Sequence, residues 1–150
     1  MKDFELIKNR AIYYVSKRDY GSKELFIKLE QKFPDADLEA IEKSINKMFE
    51  LGFLSDERFV EVYIRQEKRN NNGPLKIRMK LKQKYITDDL INIFLNEEDQ
   101  DFYDNCANAL ILKSKGVVND YKEKQKYYRF LASRGYLSNH INYAFEKFNS

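Results

Sequence analysis

Three leucines recur at a nearly constant interval: Leu29, Leu81 and Leu131 lie 52 and 50 residues apart. Four residues before each stands another large apolar group, Leu25, Ile77 or Tyr127. Three residues after each stands a basic one, Lys32, Lys84 or Arg134. Ser22 and Pro74, seven residues before the first two leucines, are both helix-opening residues. Apolar groups four apart share one face of a helix, so the recurring unit is a helical repeat of about 50 residues. One such unit buries too little surface to be comfortable alone. Stacking several extends the core and curves the array into a long concave surface. The recurrence predicts an all-α chain of three tandem three-helix repeats forming a curved, elongated array, with repeats at 1–54, 55–98 and 99–150.

Local periodicity fills in the helices. Phe4, Ile7, Ala11 and Tyr14 set an amphipathic helix over 3–18. Ser22 is the expected N-cap of a second, carrying Leu25 and Leu29 and stopped before Pro34. Asp35 or Asp37 caps a third, with Ile41, Ile45, Met48 and Phe49 inward and Gly52 at its end. Ser55 or Asp56 caps a fourth, with Phe59, Val62, Tyr63 and Gln66 inward. Thr87 or Asp88 caps a sixth with Leu90, Ile91, Phe94 and Leu95. A seventh runs through Tyr103, Ala107 and Leu110 to Lys115-Gly116. The eighth spans about 120–134. Ser138 caps a ninth with Ile141, Ala144, Phe145 and Phe148. Five Gly and two Pro are too few for a turn-rich β-sandwich.

The fifth element is ambiguous on its own. Residues 75–82 alternate apolar and basic, the period of a half-buried strand. The Gly73-Pro74 start is that of a helix. The repeat alignment favours the helix, which puts Pro74, Ile77, Leu81 and Tyr85 on one inward face. Lys76, Lys80 and Lys84 then line one flank, and Arg78 and Lys82 the other. Leu75 and Met79 fit no core face and are expected against a neighbouring repeat or a partner.

Charge is segregated in blocks. Residues 58–84 carry nine basic and two acidic groups, residues 85–104 none and seven, and residues 105–150 eight and three. Such blocks suit a face aimed at a polyanion or an acidic surface, or local charge pairing. Arg65, Lys68, Arg69, Lys76, Arg78, Lys80, Lys82 and Lys84 form the candidate binding group. They are placed to meet DNA phosphates with strong salt dependence or acidic protein surface with faster encounter. Tyr127, Tyr128 and Arg129 invite a base-stacking reading, but Tyr127 occupies the core position of the repeat.

Other chemistries find little support. Glu97, Glu98, Asp99, Asp101 and Asp104 have no Gly among them for the sharp turn of a calcium loop. They read as a solvated linker or a helix start favoured by the dipole. One Cys, Cys106, and one His, His140, are too few for a zinc site and need a third group to act as nucleophile and base. No metal or cofactor is expected. No apolar run approaches the roughly 20 residues of a membrane helix. The start Met1-Lys2-Asp3-Phe4-Glu5 lacks the layout of a signal peptide. A lone cysteine makes no internal disulfide, so a reduced cytoplasmic setting is expected.

The stretch Gly52-Phe53-Leu54-Ser55-Asp56-Glu57-Arg58-Phe59-Val60-Glu61-Val62-Tyr63-Ile64-Arg65 resembles the core signature of the regulatory protein RecX family. Gly73-Pro74-Leu75-Lys76-Ile77-Arg78-Met79-Lys80-Leu81 resembles its second signature, and Phe130-Leu131-Ala132-Ser133-Arg134-Gly135-Tyr136 the end of its third-repeat helix. Ser55 stands where the family usually has an acid, Tyr85 where Gly is common, and Asn70-Asn71-Asn72 where the turn is basic. The resemblance implies a bacterial cytoplasmic protein of tandem three-helix repeats, not an enzyme. It implies a protein that binds the RecA recombinase filament on DNA and mainly inhibits its ATPase and strand exchange. Some relatives also bind DNA, single- or double-stranded. The expected form is a monomer. The alternative reading is a stand-alone DNA-binding module using the same basic helices. Metal-dependent cleavage would be the mark of a third class, a nuclease.

Overall fold

The computed structural model describes residues 2–149. These fold into α1 (Lys2–Lys17), α2 (Ser22–Lys32), α3 (Leu38–Glu50), α4 (Asp56–Arg69), α5 (Pro74–Gln83), α6 (Asp88–Phe94), α7 (Gln100–Ser114), α8 (Tyr121–Ser133) and α9 (Ser138–Phe148). No strand occurs among the described residues, so 75–82 lies within a helix.

The leucine recurrence marks one core position in each triplet. Leu25, Leu29, Ile77, Leu81, Tyr127 and Leu131 are all buried, on α2, α5 and α8 in turn. The accessible surface is 9241 Å². A compact monomer of 18.0 kDa would expose only about 8,000 Å², so the tandem arrangement leaves the molecule elongated.

Caps set most helix starts. Asp37, Ser55, Thr87, Asp99 and Asp120 each accept a backbone N–H from the first turn of α3, α4, α6, α7 and α8. Two expected caps differ. The N-cap of α2 is Gly21, and Ser22 is the first helical residue. The Ser22 N–H and hydroxyl donate instead to the Asp56 carboxylate at 2.7 and 2.6 Å. Likewise Ser138 lies inside α9, where His140 Nδ1 accepts the Leu137 N–H at 3.0 Å.

Some inward faces are turned from those the periodicity predicts. On α4 the buried residues are Phe59, Val60, Ile64 and Glu67, while Val62 and Tyr63 are half-buried and Gln66 is exposed. A buried glutamate carries no apolar signal, so the period counted from apolar residues slips to its neighbour. On α7 Phe102, Cys106, Ala109 and Leu110 point inward, with Tyr103 and Ala107 at the flank. Phe49 is exposed at the end of α3.

Tyr85 also departs from its expected inward position. Helix α5 ends at Gln83, and Tyr85 takes a left-handed φ of 65°. Its N–H donates to the Lys82 carbonyl, and that of Ile86 to the Leu81 carbonyl, both in a Schellman pattern. The turn thus points Tyr85 outward, at 51% exposure, and buries Ile86 in its place.

Candidate functional site

The basic group sits on α4 and α5, which the 70–75 turn locks together. The last carbonyls of a helix lack partners of their own. Here residues of the third triplet supply them: Arg134 donates to the carbonyls of Asn70 and Asn71, and Asn105 Nδ2 to that of Lys68. In return the N–H groups of Gly73 and Leu75 donate to the carbonyls of Arg134 and Gly135, at 2.7 and 3.0 Å. Two glycines make this approach possible. A Cβ on Gly73 would lie 2.3 Å from the Gly135 carbonyl carbon. One on Gly135, at a φ of 94°, would lie 2.5 Å from the Lys76 backbone nitrogen.

Beneath the turn lies the buried Glu67. Its carboxylate accepts from Lys80 Nζ and, at 3.0 Å, from Asn72 Nδ2. Burial alone would raise this carboxyl, but the hydrogen bonds from Lys80, Asn72 and Asn70 outweigh it and hold the group below the ordinary carboxylate range. Burial, with the nearby Glu67 and Glu24 charges, pushes the Tyr63 phenol up to about 12, so it stays neutral.

Six of the eight candidate cations are committed to carboxylates. Lys68 meets Asp99 at 2.7 Å and Asp101 at 3.6 Å, and its hydrogen bond holds the Asp99 carboxyl low. Arg78 and Lys82 both reach Asp88, at 3.5 and 3.4 Å, and Arg78 donates to Asn92 at 2.8 Å. Lys80 pairs with Glu67, Lys84 with Glu24 at 3.6 Å, and Arg65 with Glu61 at 3.4 Å. Among the described residues, Arg69 and Lys76 form no ion pair. The two flanks of α5 therefore do different things. Lys80 and Lys84 bind α4 and α2, while Arg78 and Lys82 lean toward α6.

Between Arg78 and Lys82 the two apolar residues without a core role are open to solvent. Leu75 is 47% and Met79 51% exposed. With Arg78, Lys82 and Gln83 they line one open pocket on the outer face of α5.

The remaining sequence candidates separate cleanly. Tyr127 is buried, Tyr128 half-buried and Arg129 exposed. The acidic run 97–104 is spread over a loop, a cap and a helix. Among the described residues no three His, Cys, Asp or Glu side chains gather as a metal site. Burial pushes the Cys106 thiol up to about 12, far from a working nucleophile. The His140 ring is fully buried between the Leu137 N–H and the Glu97 carbonyl, the latter 2.8 Å from Nε2. Periodicity missed Glu67, and it gave Asp56 only a capping role and Gly135 only a helix stop, not the contacts they make between triplets. The signal for Glu67 was its isolation, as one of only two acids in a strongly basic block.

No described helix is long and apolar enough to cross a membrane. Family models for the second and third three-helix domains of RecX match residues 55–95 and 111–145. The Regulatory protein RecX of Vibrio campbellii is 37% identical over 139 residues, 91% of this chain and 88% of that protein. That of Legionella pneumophila is 37% identical over 142 residues, 93% of each. In fold, the crystal structure of RecX from Lactobacillus salivarius superimposes with a TM-score of 0.84, covering 99% of this chain and 97% of that one at 23% identity. With identity of this order spread across nine-tenths of its length, the chain belongs to the regulatory protein RecX family.

Proposed function

We propose that this protein binds the RecA recombinase filament on DNA and inhibits its ATPase and strand exchange, as a cytoplasmic monomer without chemistry of its own. Membership of the RecX family over nine-tenths of the chain carries the reading. With repeats taken at 1–54, 55–98 and 99–150, the second repeat supplies the filament contact. Its support is the outer face of α5, where Leu75 and Met79 stand exposed between Arg78 and Lys82. Exposed apolar anchors ringed by charge suit a protein surface, where a few such residues carry most of the affinity. Arg65, Arg69 and Lys76 widen the basic rim, while Lys68, Lys80 and Lys84 serve mainly to hold the helices in place.

Reversing Lys76, Lys80 and Lys84 together would be a poor test, because Glu at 80 would face the buried Glu67. Leu75→Ala with Met79→Ala is the cleaner variant, since both side chains are exposed. Recombinase ATPase on single-stranded DNA is measured with increasing amounts of each protein. The variant is expected to need at least about tenfold more protein for half-inhibition. Inhibition by the variant at wild-type concentrations would remove this face from the contact. An absence of inhibition by the wild-type chain would sink the functional reading itself.

A further inference from the structure

Sulfur is the side-chain atom most open to oxidation, and the three methionines and one cysteine of this chain are Met1, Met48, Met79 and Cys106. Met1 lies outside the described residues. Of the other three, two are closed to solvent. Met48 is fully buried in the core of the first triplet. Cys106 is fully buried in the other core, and a peroxide attacks the thiolate, which burial there disfavours. Met79 alone among the described sulfurs is open, at 51% exposure. A thioether carries no proton to lose, so access decides how fast it reacts.

The surroundings of Met79 give that access a consequence. Pro74, Ile77 and Leu81 fill the inward face of α5, and Met79 takes no part in it. Leu75, four residues earlier, shares its stripe of helix and is likewise half exposed. Arg78 and Lys82 flank the stripe, but both reach toward Asp88, at 3.5 and 3.4 Å, rather than across the thioether. An oxygen added to Met79 would therefore stand in water, with donors on Lys82 and Gln83 lining the same pocket. It would cost the fold little. The same oxygen on Met48 would be buried among apolar groups, at the full penalty of an unpaired polar atom. Against an apolar partner surface, the Met79 oxygen would have to be stripped of water in turn. Oxidation at this one position is thus nearly neutral for folding and unfavourable for binding.

We propose that Met79 is a reversible oxidation site, at which conversion to the sulfoxide by a hydroperoxide releases the α5 face from its protein partner. The proposal rests on the recombinase reading of that face and adds its control. In the step, a sulfur lone pair attacks the terminal oxygen of the hydroperoxide. The O–O bond breaks as the S–O bond forms, and the proton on that oxygen passes to the departing alkoxide. Sulfur gives up two electrons, the peroxide takes them, and an alcohol leaves, or water when the oxidant is hydrogen peroxide. The flexible apolar anchor becomes a polar one. An oxidising setting then frees the recombinase without unfolding the inhibitor, and reduction of the sulfoxide restores the contact.

The test treats the full chain with hydrogen peroxide, removes the excess with catalase and maps the oxidised positions by mass spectrometry. Recombinase ATPase on single-stranded DNA is then measured with increasing amounts of each protein. Met79 is expected to gain oxygen well before Met48. Once it is converted, half-inhibition should need at least about fivefold more protein, while the melting temperature stays where it was. The two methionine sulfoxide reductases, one for each epimer, should return inhibition to its starting level. Met79→Leu removes the sulfur and keeps an apolar side chain of similar volume. Its inhibition, whatever its starting level, is expected to be the same before and after peroxide. Met79→Gln, polar and of similar length, should inhibit as weakly as the oxidised protein. Full inhibition by protein whose Met79 is converted would overturn the proposal and leave the recombinase reading standing. A peroxide-induced loss in Met79→Leu would do the same, because that variant keeps Met1, Met48 and Cys106. Conversion of Met48 as fast as Met79, or a fall in melting temperature with Met79 conversion, would show unfolding rather than a switch. Untreated wild type that fails to inhibit would sink the recombinase reading, and the switch with it.

Discussion

Glu67 is only 5% exposed, yet it carries a charge at neutral pH. A buried carboxylate is tolerated only where its lone pairs are used, and here Lys80, Asn72 and Asn70 use them. Removing one partner strands the other. Lys80→Ala is expected to cost about 1–2 kcal/mol at pH 7, the lower part of the range for a charged pair because the lysine is a third exposed. Urea unfolding measures it. The sign of the pH dependence follows from the depressed carboxyl. Its contribution is fully present above the unfolded value of about 4.3 and is lost as pH falls through the lower folded value. The gap between wild type and Lys80→Ala should therefore close in acid, and a gap that persists at low pH would contradict the assignment. Little of this was legible beforehand, because Glu67 and the exposed Glu61 look alike in a list of residues. Only the fold puts one of them under the 70–75 turn.

Helix α5 shows how an element can be readable in type and misread at its end. The 50-residue recurrence identified it as a helix against its own strand-like alternation, and Ile77 and Leu81 point inward as that recurrence requires. The end at Gln83 follows from a backbone turn that a Tyr does not advertise. At a φ of 65° Tyr85 sits where Gly is at ease and a side chain bearing a Cβ is strained, at roughly 1–2 kcal/mol. Its ring is half in solvent, so little packing offsets that strain. Tyr85→Gly is expected to raise stability by about 0.5–1 kcal/mol, after the greater entropy of the unfolded glycine is subtracted. Thermal unfolding checks it, and a fall in melting temperature would mean that the Tyr85 ring contributes more than the turn costs.

At the scale of the molecule, the buried apolar groups among the described residues form two cores rather than one or three. One joins α1 to α3 around Ile7, Leu29, Ile41 and Leu54, and the other runs through α4 to α9 from Phe59 to Phe145. The second and third triplets are thus fused by shared apolar packing and by the Gly73–Gly135 contact. The first is joined to them by polar groups, chiefly Ser22 with Asp56 and Lys84 with Glu24. Asp56→Ala is expected to loosen that joint alone. Amide exchange in the first turn of α2 should speed up roughly tenfold, the worth of a lost cap, while Leu81 and Leu131 keep their protection. Equal loosening of all three would show that the cores are not independent. The helical class, the threefold recurrence and the buried leucine positions were set by the sequence alone, because apolar spacing along a helix is a local property. Which cations stay free, which carboxylate is buried and which triplets share a core depend on groups far apart in the chain, such as Glu24 with Lys84 or Gly73 with Gly135. Those pairings exist only once the repeats are stacked, and only the tertiary structure decided them.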